Sequence, residues 1–421
     1  MTNAPTRITD IRAWEALDSR GRPTVGCVVV LESGAVGRVV VPSGASTGAY
    51  EAHELRDGGT RYGGYGTQAA VANLLTELRP AVLGHDALDQ AGIDAILRAV
   101  DGTDTLSRVG ANAVLAVSLA VHRAAAGTRP RTDGTAYLPL PMFNVVSGGA
   151  HAAGAIDLQD ILAIPVGART VAHAVEWGWR VRAATARLAA ETGPGASLVA
   201  DEGGIGIPLR SNTEALDLVL AGIEASGLRA GDDVAIAIDI AASQLATAHG
   251  YRLAVEERTL SAAEWAQELV LWTERYPIVS IEDPFGEDDW DSWSDFTARV
   301  GNQIQVVGDD LFATTTARLQ RGVETRAANA VLVKPNQVGT VTATEELLEL
   351  ARREGVRTVV SARSGDTEDH WLSDLAVGWG ADQLKVGSLT RSERTAKWNR
   401  ILELEADPTI PTELRRWQPL G

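Results

Sequence analysis

Residues 331–337 read Val-Leu-Val-Lys-Pro-Asn-Gln, a short apolar run that ends on a lysine. The chain contains 38 lysine and arginine residues, yet its lysines are only Lys334, Lys385 and Lys397. Arginine stays protonated in proteins, whereas a lysine can be tuned to act as a base. Lys334 is therefore a candidate catalytic residue, with drift or a plain salt bridge as the alternative.

Other apolar runs in the second half of the chain also end on polar residues. They are 234–239, 278–282, 305–309, 358–361 and 383–385. From Glu282 onward the polar ends recur about every 25 residues, the length of one strand–helix unit in a parallel barrel. Because the carboxyl ends of barrel strands meet at one mouth, we predict a TIM-like α/β barrel with these side chains at its mouth.

The first 130 residues have a pattern typical of an α+β domain. Alternating runs predict an antiparallel sheet, and 3.6-residue periodicity predicts helices after it. The strands are expected at 8–16, 24–31 and 35–41, and the helices at 68–83, 87–98 and 112–126. Between them lies a loop of small residues, 42–48, and the breaker-rich segment 127–135 follows. We predict an N-terminal α+β domain over 1–130 and a barrel domain over 136–421.

Composition argues against several classes of protein. The net charge of −17 argues against a nucleic-acid partner and a membrane-binding surface. The single cysteine, Cys27, excludes an internal disulfide and fits a reducing cytoplasm. No secretory signal is visible at the N-terminus, and no apolar run approaches the roughly 20 residues of a membrane span. We expect a cytoplasmic protein that needs metal ions or basic side chains to hold an anionic ligand.

Three carboxylates follow strands that would be neighbours at the mouth: Asp239, Glu282 and Asp309. Unpaired like charges repel strongly in a partly desolvated site, so a divalent cation is expected between them. An all-oxygen ligand set suits Mg²⁺. In strand order, Lys334 and Lys385 flank this group on its two far sides. A lysine base beside a metal that stabilises negative charge favours proton abstraction next to a carboxylate. Three unrelated surface acids are the alternative.

Nine short motifs occur along the chain in a fixed order. They are residues 15–24 (Glu-Ala-Leu-Asp-Ser-Arg-Gly-Arg-Pro-Thr), 42–48 (Pro-Ser-Gly-Ala-Ser-Thr-Gly), 54–57 (Glu-Leu-Arg-Asp), 110–113 (Gly-Ala-Asn-Ala), 148–151 (Gly-Gly-Ala-His), 201–204 (Asp-Glu-Gly-Gly), 282–285 (Glu-Asp-Pro-Phe), 308–311 (Gly-Asp-Asp-Leu) and 364–369 (Ser-Gly-Asp-Thr-Glu-Asp). With this order and spacing, the chain resembles the enolase family over nearly its full length. The resemblance implies an enolase-type barrel after an α+β domain, and a homodimer.

The resemblance also implies the metal sites. Asp239, Glu282 and Asp309 match the ligands of a tightly bound Mg²⁺. Ser46 matches the ligand of a second Mg²⁺ that arrives with the substrate, so loop 42–48 would be a lid.

Further roles follow from the resemblance. Lys334 matches the base that takes the C2 proton, and Glu202 matches the acid that assists departure of the C3 hydroxyl. The remaining matches are Lys385 and Gln159 near the substrate carboxylate, Arg363 and Ser364 as a phosphate clamp, and His151 as an active-site histidine on a second mobile loop. The expected ligand is a small anionic phosphorus compound.

Several departures from the family pattern fall inside this site. They are Ala362 for histidine, Asp160 for glutamate, Ser147 for asparagine, Ala200 for glycine, Gln244 for glutamate and Pro335 for a large apolar residue. Asp160 stays among the expected catalytic residues and Ala362 among the substrate-binding ones. Most departures surround the phosphate and leaving-group end, which predicts a roomier and less cationic pocket.

Three functions are compatible with this pattern. One is a specialised enolase relative of phosphonate biosynthesis that forms carboxyphosphonoenolpyruvate. Another is an ordinary enolase that dehydrates 2-phosphoglycerate to phosphoenolpyruvate. The last is a non-catalytic scaffold, which loss of Lys334, Glu202 or a metal acid would have favoured.

Overall fold

The N-terminal part of the chain is an antiparallel sheet covered by helices. The computed structural model describes residues 5–44, 48–126, 136–192 and 198–418. Strands β1 (Ile8–Leu17), β2 (Pro23–Leu31) and β3 (Val36–Val40) pair in that order. The helices are α1 (Gln68–Asn73), α2 (Arg79–Val82), α3 (Gln90–Asp101) and α4 (Ala111–Ala126), with a π-helical turn, Leu74–Leu78, joining α1 to α2.

Local capping explains where α3 begins and ends. The helix was expected at 87–98, but it begins at Gln90, because the Asp89 side chain accepts a hydrogen bond of 3.0 Å from the Gly92 backbone N–H. It ends at Asp101 and is capped by Gly102, whose φ of 73° is a left-handed conformation that glycine adopts at little cost. Helix α4 packs across β2 and β3. A Cβ at Gly37 would lie 1.9 Å from the Ala120 carbonyl oxygen, so glycine is required for this close approach.

The second part is a closed eight-stranded barrel with helices around it. The strands of this part are β4 (Ala136–Leu138), β5 (Leu140–Ser147), β6 (Asp160–Ile164), β7 (Ala235–Asp239), β8 (Ala246–Thr247), β9 (Gly250–Leu253), β10 (Arg258–Leu260), β11 (Ile278–Glu282), β12 (Gln305–Gly308), β13 (Ala330–Val333), β14 (Arg357–Ser361), β15 (Gln383–Lys385) and β16 (Thr412–Leu414). The barrel order is β11-β12-β13-β14-β15-β5-β6-β7, while β8 to β10 form a separate small sheet and β16 pairs with β4.

The helices around the barrel follow its strands. They are α5 (Val171–Thr192), α6 (Asn212–Ala225), α7 (Ala262–Arg275), α8 (Trp290–Val300), α9 (Thr316–Thr325), α10 (Val341–Arg353), α11 (Trp371–Gly378) and α12 (Ser392–Ala406). Helix α7 begins with a capping box, in which the Ser261 hydroxyl accepts from the Glu264 backbone and the Glu264 side chain accepts from the Ser261 backbone. Among the described residues, no helix is long and apolar enough to cross a membrane.

One strand of the barrel runs against the expected direction. A parallel barrel was predicted, but β6 is antiparallel to both β5 and β7. The prediction was wrong here because residues 148–159 contain only one 3₁₀ turn, Gly149–Ala152, and no helix that could carry the chain back to the other end. The chain therefore turns at the mouth and β6 begins there. Its first residue, Asp160, lies opposite both Ser147 and Asp239.

The N-terminal part meets the barrel at its mouth. Ser43 and Gly365 exchange two backbone hydrogen bonds of 2.8 and 3.0 Å. A Cβ at Gly365 would lie 2.3 Å from an Asp18 carboxylate oxygen, so this approach also requires glycine. One continuous cluster of buried apolar side chains runs through the described parts of both regions. Loop 42–48 therefore starts next to Ser364, although its Ser46 lies outside the described residues, as does segment 127–135.

Candidate active site

A cavity at the barrel mouth collects most of the residues that the sequence singled out. The space that it leaves for the centre of a water-sized sphere is about 30 Å³, so the side chains of the mouth lie close together. The predicted residues in its wall are His151, Gln159, Glu202, Asp239, Asp309, Lys334, Ala362, Arg363, Ser364 and Lys385. Asp160 and Glu282 are buried behind this wall. The strand ends therefore meet at one mouth, as the barrel prediction requires.

Two lysines neutralise the three predicted metal acids. Lys385, on β15, reaches across the mouth and donates to Asp239 Oδ2 at 2.6 Å and to Glu282 Oε2 at 2.7 Å. Lys334 follows β13 and donates to Asp309 Oδ2. Burial by itself lowers the pKa of Lys334, but Asp309 raises it, and the balance lies above the ordinary value. Lys334 is therefore an ammonium in this arrangement, and its contact with Asp309 must loosen before it can accept a proton.

The same acids fit a hard divalent cation by their chemistry. Their donors are all carboxylate oxygens, the ligands that Mg²⁺ prefers. Glu282 Oε1 is buried without a hydrogen-bond partner, so this ligand atom remains to be satisfied. Burial and the neighbouring Asp239 raise the pKa of Glu282 well above its ordinary value, which shows the repulsion that a cation would relieve.

The described residues contain two groups of three possible ligand atoms within 4.8 Å of one another, and neither is the predicted trio. One is Asp283, Asp309 and Asp310; the other is His151, Asp160 and Glu202. In the first group, Asp283 accepts backbone hydrogen bonds of 2.9 Å from Asp309 and Asp310. Burial raises the pKa of Asp310 to about 7, and nearby Asp309 adds to this effect. These acids extend the negative wall beside Asp309.

The second group is held from behind by Ser147. The Ser147 hydroxyl donates to Asp160 Oδ1 at 2.7 Å, and the other Asp160 oxygen lies 3.0 Å from His151 Nδ1. His151 Nε2 lies 3.9 Å from Glu202 Oε1. Burial lowers the pKa of His151, but the carboxylates of Asp160 and Glu202 outweigh burial and raise it to about 9. His151 is thus an imidazolium facing Glu202, and the buried Asp160 acts on the cavity through this ring.

The opposite wall carries the predicted phosphate clamp. Arg363 and Ser364 follow β14, and Ala362 lies between them and Ser361. The Ala362 backbone N–H donates to the Lys385 carbonyl at 3.0 Å, and Ala362, whose side chain is a single methyl group, lies in the cavity wall. Arg394, on α12, is fully buried behind the clamp and donates to the Arg363 and Ser364 carbonyls at 2.7 and 2.6 Å. The backbone of the clamp is therefore held from behind.

Comparison with known families agrees with this geometry. The model described as the N-terminal domain of enolase matches residues 8–131, and the model described as the C-terminal TIM barrel domain of enolase matches residues 135–410. The chain belongs to the enolase family. The predicted fold class, an α+β N-terminal domain followed by an enolase-type barrel, is confirmed. The chain is accordingly an enolase-superfamily enzyme of the enolase-like lyase class.

Several residues of this enolase-family site were absent from the sequence prediction. They are Glu51, Asp283, Asp310, Gln337 and Arg394. Two of them had a signal, because Asp283 and Asp310 each follow a predicted metal acid within a quoted motif. Arg394 lies three residues before Lys397, the one lysine of the chain to which no role was assigned. The Lys397 side chain is buried and donates to Asp366 at 2.7 Å. Glu51 and Gln337 had no signal of their own.

Magnesium is expected to stabilise this protein against thermal unfolding. A ligand that binds only the folded state adds about 2.7 kcal/mol at 100 times its Kd. We expect Mg²⁺ to raise the Tm of the wild type but not of Asp239→Asn, which loses a ligand. Asp232→Asn, a change at an exposed acid, is the matched control and should keep the full shift. Equal shifts in wild type and Asp239→Asn, or none in either, would contradict the assignment of these acids.

Proposed function

We propose that this enzyme removes water from a glycerate whose C2 oxygen carries a carboxyphosphono group, forming carboxyphosphonoenolpyruvate. Lys334 takes the proton from C2, the electron pair forms the C2–C3 double bond, and the C3–O bond breaks. Glu202 protonates the departing hydroxyl, so water is the second product. Asp239, Glu282 and Asp309 would hold Mg²⁺, which when bound would stabilise negative charge on the substrate carboxylate.

The assignment of Glu202 as the acid requires a source for its proton. Burial raises the pKa of Glu202, but His151 and more distant cations outweigh burial, so the pKa lies below its ordinary value. Glu202 alone would then hold its proton poorly. His151, whose pKa is about 9, holds a proton 3.9 Å away. We infer that His151 holds the proton available on the acid side, that Asp160 and Ser147 orient its ring, and that the 3.9 Å gap to Glu202 must close before this proton can pass.

The single observation that carries the choice of substrate is the methyl group of Ala362 in the cavity wall. It lies beside Arg363 and Ser364, where the family pattern has an imidazole. A carboxylate attached to phosphorus is smaller than an imidazole ring, so it needs less room beside Arg363 than that ring would. The Ser364 hydroxyl lies in the same wall, as does the Ser361 hydroxyl, which donates to the Ala362 carbonyl at 3.0 Å.

Dehydration of 2-phosphoglycerate is the second candidate. It is supported by the presence of the base, the acid and the arginine–serine clamp in one cavity of an enolase-family protein. The same residues argue against a non-catalytic scaffold. A less cationic clamp would hold an ordinary phosphate group more weakly, so we place this activity second.

A direct comparison of the two substrates tests the proposal. With Mg²⁺ present, the ultraviolet absorbance of the enol product gives kcat/KM for 2-phosphoglycerate and for 2-O-carboxyphosphonoglycerate. We expect kcat/KM to be at least about tenfold higher for the carboxyphosphono substrate, a difference of about 1.4 kcal/mol. Equal or better turnover of 2-phosphoglycerate would establish the ordinary enolase instead. A magnesium-loaded, folded protein that turns over neither compound would favour the scaffold.

A further inference from the structure

A carboxylate from the N-terminal part of the chain occupies the clamp arginine. Glu51 Oε2 accepts from one terminal nitrogen of Arg363 at 2.7 Å, and Glu51 Oε1 accepts from the other at 3.3 Å. The two side chains are only 5% and 4% exposed, so the pair is screened from water. A buried, two-pronged pair of this kind fixes the plane of a guanidinium and neutralises its charge.

Glu51 is also bonded on its other side. Its Oε1 accepts from the Gly48 backbone N–H at 3.0 Å and from the Gln337 side-chain amide at 3.3 Å. The same Gln337 nitrogen donates to Asp309 Oδ1 at 3.1 Å, and Asp309 is the partner of Lys334. A continuous path of polar contacts therefore joins the clamp arginine to the catalytic base, and Glu51 is its link to the N-terminal part.

The barrel holds the segment that presents Glu51. The Tyr50 hydroxyl donates to Asp288 Oδ1 at 2.9 Å, and the Arg318 guanidinium lies 3.6 Å from the centre of the Tyr50 ring. The Ala49 backbone N–H donates to Glu287 Oε2 at 3.3 Å. Three contacts to the barrel thus fix residues 49–50. The position of the Glu51 carboxylate is therefore set next to the mouth rather than left to a free loop.

We propose that Glu51 is the counter-ion and positioning residue of Arg363, and that it sets how strongly this end of the cavity attracts a phosphorus oxyanion. With Glu51 paired, the guanidinium is aimed correctly but much of its charge is already neutralised. A ligand with one weak negative charge competes poorly with this carboxylate, whereas a doubly charged phosphate or phosphonate competes well. The inference rests on the proposed function only in using Arg363 as the clamp.

The test is Glu51→Gln, which removes the charge and keeps the shape. The probe is inorganic phosphate, titrated calorimetrically into the magnesium-loaded protein. We expect phosphate to bind at least about tenfold more tightly, or about 1.4 kcal/mol, because Arg363 keeps its charge and loses its counter-ion. We expect kcat for the better of the two glycerate substrates to fall at least tenfold, because the guanidinium is no longer aimed. KM and kcat should thus fall together.

A purely structural role predicts a different result. It would lower the Tm, and phosphate would bind as in the wild type or more weakly; that binding result from a folded Glu51→Gln protein would overturn the proposal. Glu349→Gln, a change at an exposed glutamate of α10, is the matched control and should match the wild type in phosphate binding and kcat.

A second variant keeps the proposal testable if Glu51→Gln does not fold. Glu51→Asp keeps the charge but withdraws it from Arg363 by one methylene, so phosphate should bind more tightly than to the wild type and less tightly than to Glu51→Gln. Unchanged or weaker binding to Glu51→Asp would overturn the proposal. Because phosphate binding needs no turnover, this result is independent of which glycerate the enzyme dehydrates.

Discussion

Lys334→Arg is expected to lower kcat by about 10²- to 10⁴-fold, the range that a positioned general base contributes, while the protein remains folded. Arginine can keep the charge next to Asp309, so the buried pair is not broken. It cannot lose its proton near neutral pH, so it cannot take the proton from C2. The measurement is kcat for the better glycerate substrate, together with the Tm with and without Mg²⁺.

The matched control for this variant is the reverse exchange at an exposed site. Arg353→Lys, at the end of α10 with a side chain 67% exposed, should leave kcat and Tm unchanged. If Lys334→Arg retained more than about a tenth of the wild-type kcat, Lys334 would not be the base. If Lys334→Arg lost its folded state as well as its kcat, proton exchange at C2 would be measured in Lys334→Met instead. That exchange should be absent if Lys334 is the base.

Ala362→His is expected to invert the preference between the two substrates. The added imidazole fills the space beside Arg363 and adds a hydrogen-bond donor to the clamp. Forcing a ligand into a filled site costs about 1–3 kcal/mol, so kcat/KM for the carboxyphosphono substrate should fall about tenfold or more. The same substitution, Ala362→His, should raise kcat/KM for 2-phosphoglycerate about tenfold. The measurement is the ratio of the two kcat/KM values before and after the substitution.

Ala362→Leu separates space from hydrogen bonding. Leucine fills a similar volume without a donor, so it should depress the carboxyphosphono reaction without improving the reaction of 2-phosphoglycerate. If Ala362→His left the ratio unchanged, position 362 would not determine specificity. A wild type that already prefers 2-phosphoglycerate, and that Ala362→His improves no further, would lead to the same conclusion.

Much of the barrel could be predicted because the strand ends repeat a simple pattern. The runs that end at Asp239, Glu282, Asp309 and Lys334 each combine an apolar strand with a polar last residue, and their strands are neighbours in the barrel. The reversed strand β6 could not be found in this way. Its polar residue, Asp160, is the first of the strand, so a search for polar strand ends reads it as part of a loop.

The contacts between distant segments were the part that pattern analysis could not reach. Glu51 is one of 55 acidic residues, and nothing next to it in the chain indicates that it meets Arg363, which lies more than 300 positions away. Arg394 likewise looks like an ordinary helical arginine, yet it is fully buried and supports the clamp backbone. Such roles depend on the packing of α12 and segment 48–51 against the mouth, which periodicity does not encode.

The register of β5 and β6 has a consequence for how this site can be re-engineered. Ser147 and Asp160 lie opposite each other in the ladder, and the Ser147 hydroxyl donates to Asp160 Oδ1 at 2.7 Å. A longer side chain at either position would displace this contact, since the backbone spacing is fixed by the hydrogen-bonded ladder. The two positions should therefore be varied as a pair when this site is re-engineered.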